Sequence, residues 1–197
     1  MMKILAIADV EEPLLWDYWK HDRTKDIDLI ISCGDLKASY LEFLTTMVNV
    51  PLLYVHGNHD DRYQEEPPGG CDCIDGKLVV HNGVRIMGLG GSMRYKPGEN
   101  QYSETAMFMR AMKLSFAVAR AGGIDILVTH APAKGYGDLD DLPHTGFETF
   151  NSVMRHYHPH YMLHGHVHSS YGLIKKEHLH PSGTKIFNVC GYKVVEI

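Results

Sequence analysis

No stretch of this sequence approaches the roughly 20 consecutive apolar residues a helix needs to cross a bilayer, which excludes a helical integral membrane protein. A surplus of positive charge is missing too. Lys and Arg total 19 against 24 Asp and Glu, a formal net charge of −5, so no basic field is available to hold a long nucleic acid. Cysteine is sparse: Cys33, Cys71, Cys73 and Cys190 lack the density and spacing of a disulfide scaffold and suit a reducing compartment. The single Cys-x-Cys pair at 71 and 73 falls short of a four-ligand structural zinc site, and Cys33, inside an apolar run, reads as a small core residue. Glycine/serine linkers, internal repeats and low-complexity segments are absent. The Gly88-Leu89-Gly90-Gly91 run lacks the Lys-Ser/Thr of a P-loop and the spacing of a dinucleotide fingerprint, so it reads as a tight turn after a strand. Residues 1–6 run on to Asp9 without a signal-peptide hydrophobic region, and the expectation is a soluble, cytoplasmic protein. At 197 residues, one well-buried domain spanning 1–197 is the expected organisation.

What is present is a repeated plan. Residues 3–8, 28–33 and 51–56 are short apolar runs of the kind buried on both faces of a parallel sheet, and they run out at Asp9, at Gly34-Asp35 and at Gly57-Asn58-His59-Asp60. Between them, residues 13–20, with Trp16 and Trp19 three apart, and 39–48, with a broad apolar face, have helical character. This alternation predicts parallel strands joined by right-handed crossovers, with ligand sites beyond the strand C-termini. From residue 76 the pattern changes. Runs 77–81 and 84–89 flank Asn82-Gly83, a strong hairpin signal, and a second, partly antiparallel sheet begins there. Residues 103–121 read as one long helix with Ser103 as N-cap and Gly122-Gly123 as stop, followed by a buried strand at 125–129 that delivers His130. Residues 147–157 read as a helix and 161–164 as a strand. The runs 171–175, 184–189 and 192–197 read as an antiparallel meander, and 61–75 and 131–145 as loops around a site.

Asp9, Asp35, Asn58, His130, His166 and His168 are therefore oxygen or imidazole donors at strand ends or just beyond them. The mixture of carboxylate, amide and imidazole suits manganese, iron or zinc better than calcium, and six donors exceed what one tetrahedral ion needs. A pair of ions sharing one carboxylate would use the surplus, an arrangement suited to displacement at phosphorus by a metal-bound hydroxide. His59, beside Asn58 but free to point elsewhere, could protonate the departing alkoxide, because the unperturbed histidine pKa of about 6.5 makes both protonation states accessible. Asp60 either orients His59 or starts a helix. Arg94, Tyr95 and the acidic segment 135–146 with His144 are weaker candidates for the walls of a substrate pocket. Taken one at a time, Asp9 and Asp35 could be ordinary helix caps and His130 an ordinary polar packing residue, as His156, His158, His160 and His164 are read to be. Only their joint placement raises them.

An Asp after the first strand, Gly34-Asp35, Gly57-Asn58-His59-Asp60, Thr129-His130-Ala131 and Gly165-His166-Val167-His168, in that order, resemble the blocks of the calcineurin-like metallophosphoesterases. The resemblance implies an α/β fold, a four-layer α/β/β/α sandwich of two mixed sheets flanked by helices. It also implies two divalent metal ions, Mn2+ or Fe2+/Fe3+ before Zn2+, with Asp9, Asp35 and His168 on the first, Asp35, Asn58, His130 and His166 on the second, and His59 as the acid. The first block departs from the family's usual Asp-x-His and reads Asp9-Val10-Glu11. Glu11 could supply a carboxylate in place of the imidazole, which would move preference from zinc towards manganese or iron, or it could fail to reach. The block versions resemble the class III cyclic-nucleotide phosphodiesterase branch, which implies a small phosphodiester substrate. The alternatives are a phosphomonoesterase or a non-catalytic scaffold of the kind represented by the retromer's metallophosphoesterase-like subunit.

Overall fold

Strand β1 (Lys3–Ala8) shows why its run had to be apolar on both faces: Ile4, Ala6 and Ala8 enter one hydrophobic layer, while Leu5 and Ile7 enter another. The structure, a computed structural model, describes residues 1–168 and 175–197. After β1 the chain forms β2 (Leu29–Ser32), α1 (Ala38–Val48), β3 (Leu52–Tyr54), β4 (Asp72–Cys73), β5 (Lys77–His81), β6 (Val84–Leu89), β7 (Ser92–Met93) and β8 (Gln101–Tyr102). There follow α2 (Glu104–Lys113), α3 (Ser115–Ala121), β9 (Ile126–Thr129), α4 (Glu148–Tyr157), β10 (Tyr161–His164), β11 (Glu177–Leu179), β12 (Lys185–Asn188) and β13 (Gly191–Glu196).

Among the described residues these strands make a five-stranded sheet in the order β13-β1-β2-β3-β4, a six-stranded sheet in the order β11-β12-β10-β9-β6-β5, and a small pair β7-β8. Both large sheets are mixed. In the first, β1 to β4 run parallel and β13 runs antiparallel to β1. In the second, β6, β9, β10 and β12 run parallel, with β5 and β11 antiparallel at the edges. Three apolar layers hold the stack together. Ile4, Ile31 and Val55 of the first sheet meet Ile86, Val128 and Leu163 of the second in the middle. Tyr40, Leu41 and Leu44 of α1 cover the far face of the first sheet, and Met107, Val118, Phe150 and Met154 of α2, α3 and α4 cover that of the second. The architecture is the expected two mixed sheets between helical layers, each fully buried Leu, Ile or Phe contributing roughly 1.5–3 kcal/mol.

Asn82 and Gly83 turn the β5–β6 hairpin with φ of 48° and 85°, both in the left-handed region that this turn demands. Other expectations need correction. Residues 13–18 form turns, not a helix: the Tyr18 N–H reaches back to the Pro13 carbonyl, and Arg23 Nη1 takes the carbonyls of Leu14 and Tyr18. Trp16 is drawn onto α1, against Tyr40 and Phe43. The long helix at 103–121 is two. Ser103 does cap it, accepting the Ala106 N–H, but the chain breaks at Leu114, whose N–H takes the carbonyl of Ala111, three residues back. The C-terminal segments are no meander: β12 lies beside β10 in one sheet and β13 crosses to β1 in the other. The expected strand at 171–175 falls on residues of which all but Lys175 lie outside the described ones.

Candidate metal centre

Because β1, β2 and β3 are parallel within one sheet and β9 and β10 within the other, each set of exits opens at one sheet edge. Contacts to the backbone join the two edges: His130 Nδ1 bonds the Cys33 carbonyl at 2.8 Å, and the His166 N–H reaches both oxygens of Asp9 at 2.9 and 3.0 Å, while within the second sheet the Gly165 N–H donates to the His130 carbonyl. Asp9, Asp35 and Asn58 from the first sheet are thereby brought to His130, His166 and His168 from the second.

At the centre lies a contradiction among hydrogen-bond acceptors. A carbonyl can only accept, so the Cys33 bond fixes the proton of His130 on Nδ1 and the Pro143 carbonyl, 2.8 Å from His166 Nε2, fixes that of His166 on Nε2. The nitrogens left with lone pairs, His130 Nε2 and His166 Nδ1, face each other at 3.1 Å, and His130 Nε2 also faces Asn58 Oδ1 at 3.0 Å and Asp35 Oδ2 at 3.3 Å. Acceptors converging in a buried space need a positive charge between them, either a proton or a cation. With a proton as the only answer, burial opposes charging of His130, yet Asp35 and Asp9 push its pKa up to about 9. Burial also opposes ionisation of Asp35, but His130 holds that carboxyl well below the usual range. His166 is pushed down to about 3 by burial and by His130. Among the described residues, Asp35, His130 and His166 are the group whose donor atoms all lie within 4.8 Å of one another. This donor set fits a divalent transition metal: two imidazoles oriented by backbone carbonyls, a carboxylate and an amide oxygen.

Asp9 and His168 flank that cluster. The Asp9 side chain is fully buried, and burial raises its pKa to about 7 against the pull of His130; His168 Nε2 lies 3.8 Å from its Oδ1. Glu11, by contrast, turns its carboxylate to the Lys37 ammonium at 3.2 Å.

Gly57 and Gly165 serve by what they leave out. A Cβ on Gly57 would sit 2.0 Å from Asp35 Oδ1, and one on Gly165 would sit 2.3 Å from Asp9 Oδ2. The unusual backbone belongs to the polar residues instead: Asp9, Asp35 and His166 have φ of 61°, 56° and 70°. Left-handed conformations in non-glycine residues gather at functional sites because the surroundings must enforce them. Asp60 does start a helix, the short 3-10 turn Asp61–Gln64, though its side chain does not cap it; its Oδ2 accepts the N–H groups of Gly57 at 2.7 Å and Asp35 at 2.9 Å, tying the β2 and β3 exits together. Burial and the Asp35 charge push its pKa up to about 6.

His59 stands exposed above this floor, its backbone N–H donating to Asp35 Oδ1 at 2.8 Å. It lines two adjoining hollows. The smaller, about 240 Å³, is walled by Asn58, Tyr95, His144 and His166 among others. The larger, about 750 Å³, opens towards Glu11, Lys37, Glu42, Arg62 and Glu66. Tyr95 Oη accepts the Asn58 amide N–H at 3.4 Å, and the 135–146 segment contributes Pro143 and His144 as walls, so these two weaker candidates reach the site, while Arg94 lines neither hollow and donates to the Gln101 carbonyl instead. The Pro143 carbonyl had no signal in the sequence, because any residue carries one. Of the other histidines, His156, His158 and His160 are exposed as expected, while His164 is buried, which pushes its pKa down to about 4.

Comparison with known proteins agrees with this geometry. The sequence profile of the calcineurin-like phosphoesterase superfamily domain matches residues 2–189. No curated protein sequence matches. A crystal structure of a protein given no name superposes with a TM-score of 0.71 at 17% identity, covering 98% of this chain and 94% of that one. The crystal structure of Chaetomium thermophilum Vps29 has a TM-score of 0.47 at 12% identity, covering 100% of this chain and 81% of that one.

Proposed function

This chain belongs to the calcineurin-like phosphoesterase superfamily, whose members are generally metal-dependent phosphoester hydrolases, and from that premise we propose that it hydrolyses a small phosphodiester, a cyclic nucleotide being one candidate. The observation that carries the reading is the ring of acceptors around His130 Nε2, with both imidazoles oriented by backbone carbonyls. Asp35, Asn58, His130 and His166 would hold one divalent ion and Asp9, Asp35 and His168 the other. Bound there, such ions supply Lewis acidity towards phosphoryl oxygens and acidify the attacking water. His59 does the remaining proton work. Its backbone N–H is held by Asp35 and the residue lines both hollows, within the cleft where a leaving oxygen would need a proton. A diester is favoured over a monoester by the resemblance of the Gly57-Asn58-His59-Asp60 and Gly165-His166-Val167-His168 blocks to the cyclic-nucleotide phosphodiesterase branch.

The same reading takes residues 1–197 as one domain in the cytoplasm, where Cys33, Cys71, Cys73 and Cys190 stay free thiols. Among the described residues no helix is long and apolar enough to cross a membrane. A screen of mono- and diesters with manganese, iron or zinc tests the class: metal-stimulated turnover, greatest on diesters, is expected, and none with any substrate would sink it. His59→Ala should slow substrates with poor leaving groups by roughly 10²–10⁴-fold and spare those with good ones. Equal losses across a leaving-group series would remove His59 from the acid role.

A further inference from the structure

Each of the two aspartates at the exits of β1 and β2 is followed, two residues on, by a charged residue: Glu11 after Asp9 and Lys37 after Asp35. The two loops face each other and these charges meet, with Lys37 Nζ 3.2 Å from Glu11 Oε1 and 3.3 Å from Oε2. Both side chains line the larger hollow beside Asp35 and His59. Glu11 is the better buried, its side chain 28% exposed against 76% for Lys37.

The donors near them are divided unevenly. Around His130 Nε2 there are Asp35, Asn58 and His166, a complete set with the ring itself. On the other side stand Asp9, both of whose oxygens already accept the His166 N–H, and His168 at 3.8 Å. Counting the shared Asp35, that side has three donors among the described residues against four around the other ion. Glu11 is an anionic oxygen donor on the cleft wall it shares with Asp35, and its charge is engaged by an ammonium.

Resting on the phosphoesterase reading, we propose that Glu11 is a reserve ligand for the first divalent metal and that Lys37 holds it off, so that the two metal sites fill unequally. The carboxylate cannot lie against the ammonium and donate fully to a cation together. An ion pair with so exposed a partner holds weakly, so a metal ion can break it at a cost of roughly two- to fivefold in affinity. The molecule then has one tight site, at Asp35, Asn58, His130 and His166, and one weaker site, completed by Glu11 when Lys37 lets go.

The test is Mn2+ binding by the full chain, with free Mn2+ followed by its paramagnetic resonance signal and spin coupling between bound ions reporting a filled pair. Wild type should take up one ion tightly and a second at least tenfold more weakly. Glu11→Gln should weaken the second ion further and leave the first unchanged. Lys37→Met should tighten the second by roughly two- to fivefold, and this gain should shrink by at least half in the Glu11→Gln background. A gain of equal size in both backgrounds would reduce Lys37 to a distant repulsive charge and overturn the proposal, as would a second ion indifferent to Glu11→Gln. Failure of the wild type to bind any Mn2+ would overturn the phosphoesterase reading and this inference with it. Two bound ions with both single variants silent would overturn this inference alone.

Discussion

A histidine serves a cation well only when its other nitrogen is already committed, and here two are, His130 to the Cys33 carbonyl and His166 to that of Pro143. The carboxylates are held as tightly by backbone, Asp9 by the His166 N–H and Asp35 by that of His59. Such fixation leaves no room for a methyl group at Gly57, whose added Cβ would fall 2.0 Å from Asp35 Oδ1. Gly57→Ala should therefore displace that carboxylate, costing about 1–3 kcal/mol in urea unfolding and lowering Mn2+ affinity at least about tenfold. Wild-type affinity in that variant would show that Asp35 is not a ligand. The donor residues were legible in the sequence because side-chain chemistry at strand ends leaves a pattern. The tie that the Asp60 carboxylate makes to the Gly57 and Asp35 N–H groups and the part played by the Pro143 carbonyl were not legible, since main-chain groups belong to every residue. At Gly57 and Gly165 the use of glycine is its missing side chain, which no pattern of residue types announces.

Among the elements, β6 and β9 are fastened at their N-terminal ends by Asp125, which precedes β9. It accepts the Arg85 N–H and Nε at 2.8 Å each and Nη2 at 2.5 Å, while Arg85 Nη1 also holds the carbonyl of Gly122 at the end of α3. These bonds from Arg85 keep the Asp125 carboxyl below its ordinary 3.8. A depressed carboxyl stabilises the fold above its unfolded-state pKa, and that contribution disappears as pH falls through the folded-state value. Asp125→Asn should therefore be less stable than wild type at neutral pH by about 1–2 kcal/mol, and the gap in Tm should close as pH falls from about 5 to about 2. A gap constant across that range would mean the carboxylate charge plays no part. Buried strands with unbroken apolar runs were readable because both faces impose the same demand, and the Asn-Gly hairpin because its turn admits few residues. The short β4, β7, β8 and β11 were not, since two or three residues carry no period. The helix read at 13–20 failed for a related reason: two tryptophans three apart mark a face whether the chain winds as a helix or as successive turns.

At the scale of the whole molecule, the candidate centre spans the seam between the two sheets. Asp9, Asp35 and Asn58 hang from one sheet and His130, His166 and His168 from the other, so an ion held between them would cross-link the halves of the sandwich. Without it the seam encloses a buried aspartate whose pKa is pushed up to about 7 and a set of acceptors that only a proton on the buried His130 reconciles. The middle apolar layer favours closing the sheets while the polar edge resists it, and a cation removes the resistance. An ion at 100 times its Kd should stabilise the fold by about 2.7 kcal/mol. For a chain of this length each kcal/mol is worth about 2–4 °C, so stripping metal with a chelator should lower Tm by roughly 5–11 °C. The loss should be reversed by Mn2+ and should be absent from a His130→Ala variant, whose starting Tm is already reduced. Hydrogen exchange adds the spatial test. On chelation, protection should fall at the exits of β1 and β2 and of β9 and β10 together, since a tie between two sheets loosens both; a change confined to one sheet would mean that the ion does not bridge them.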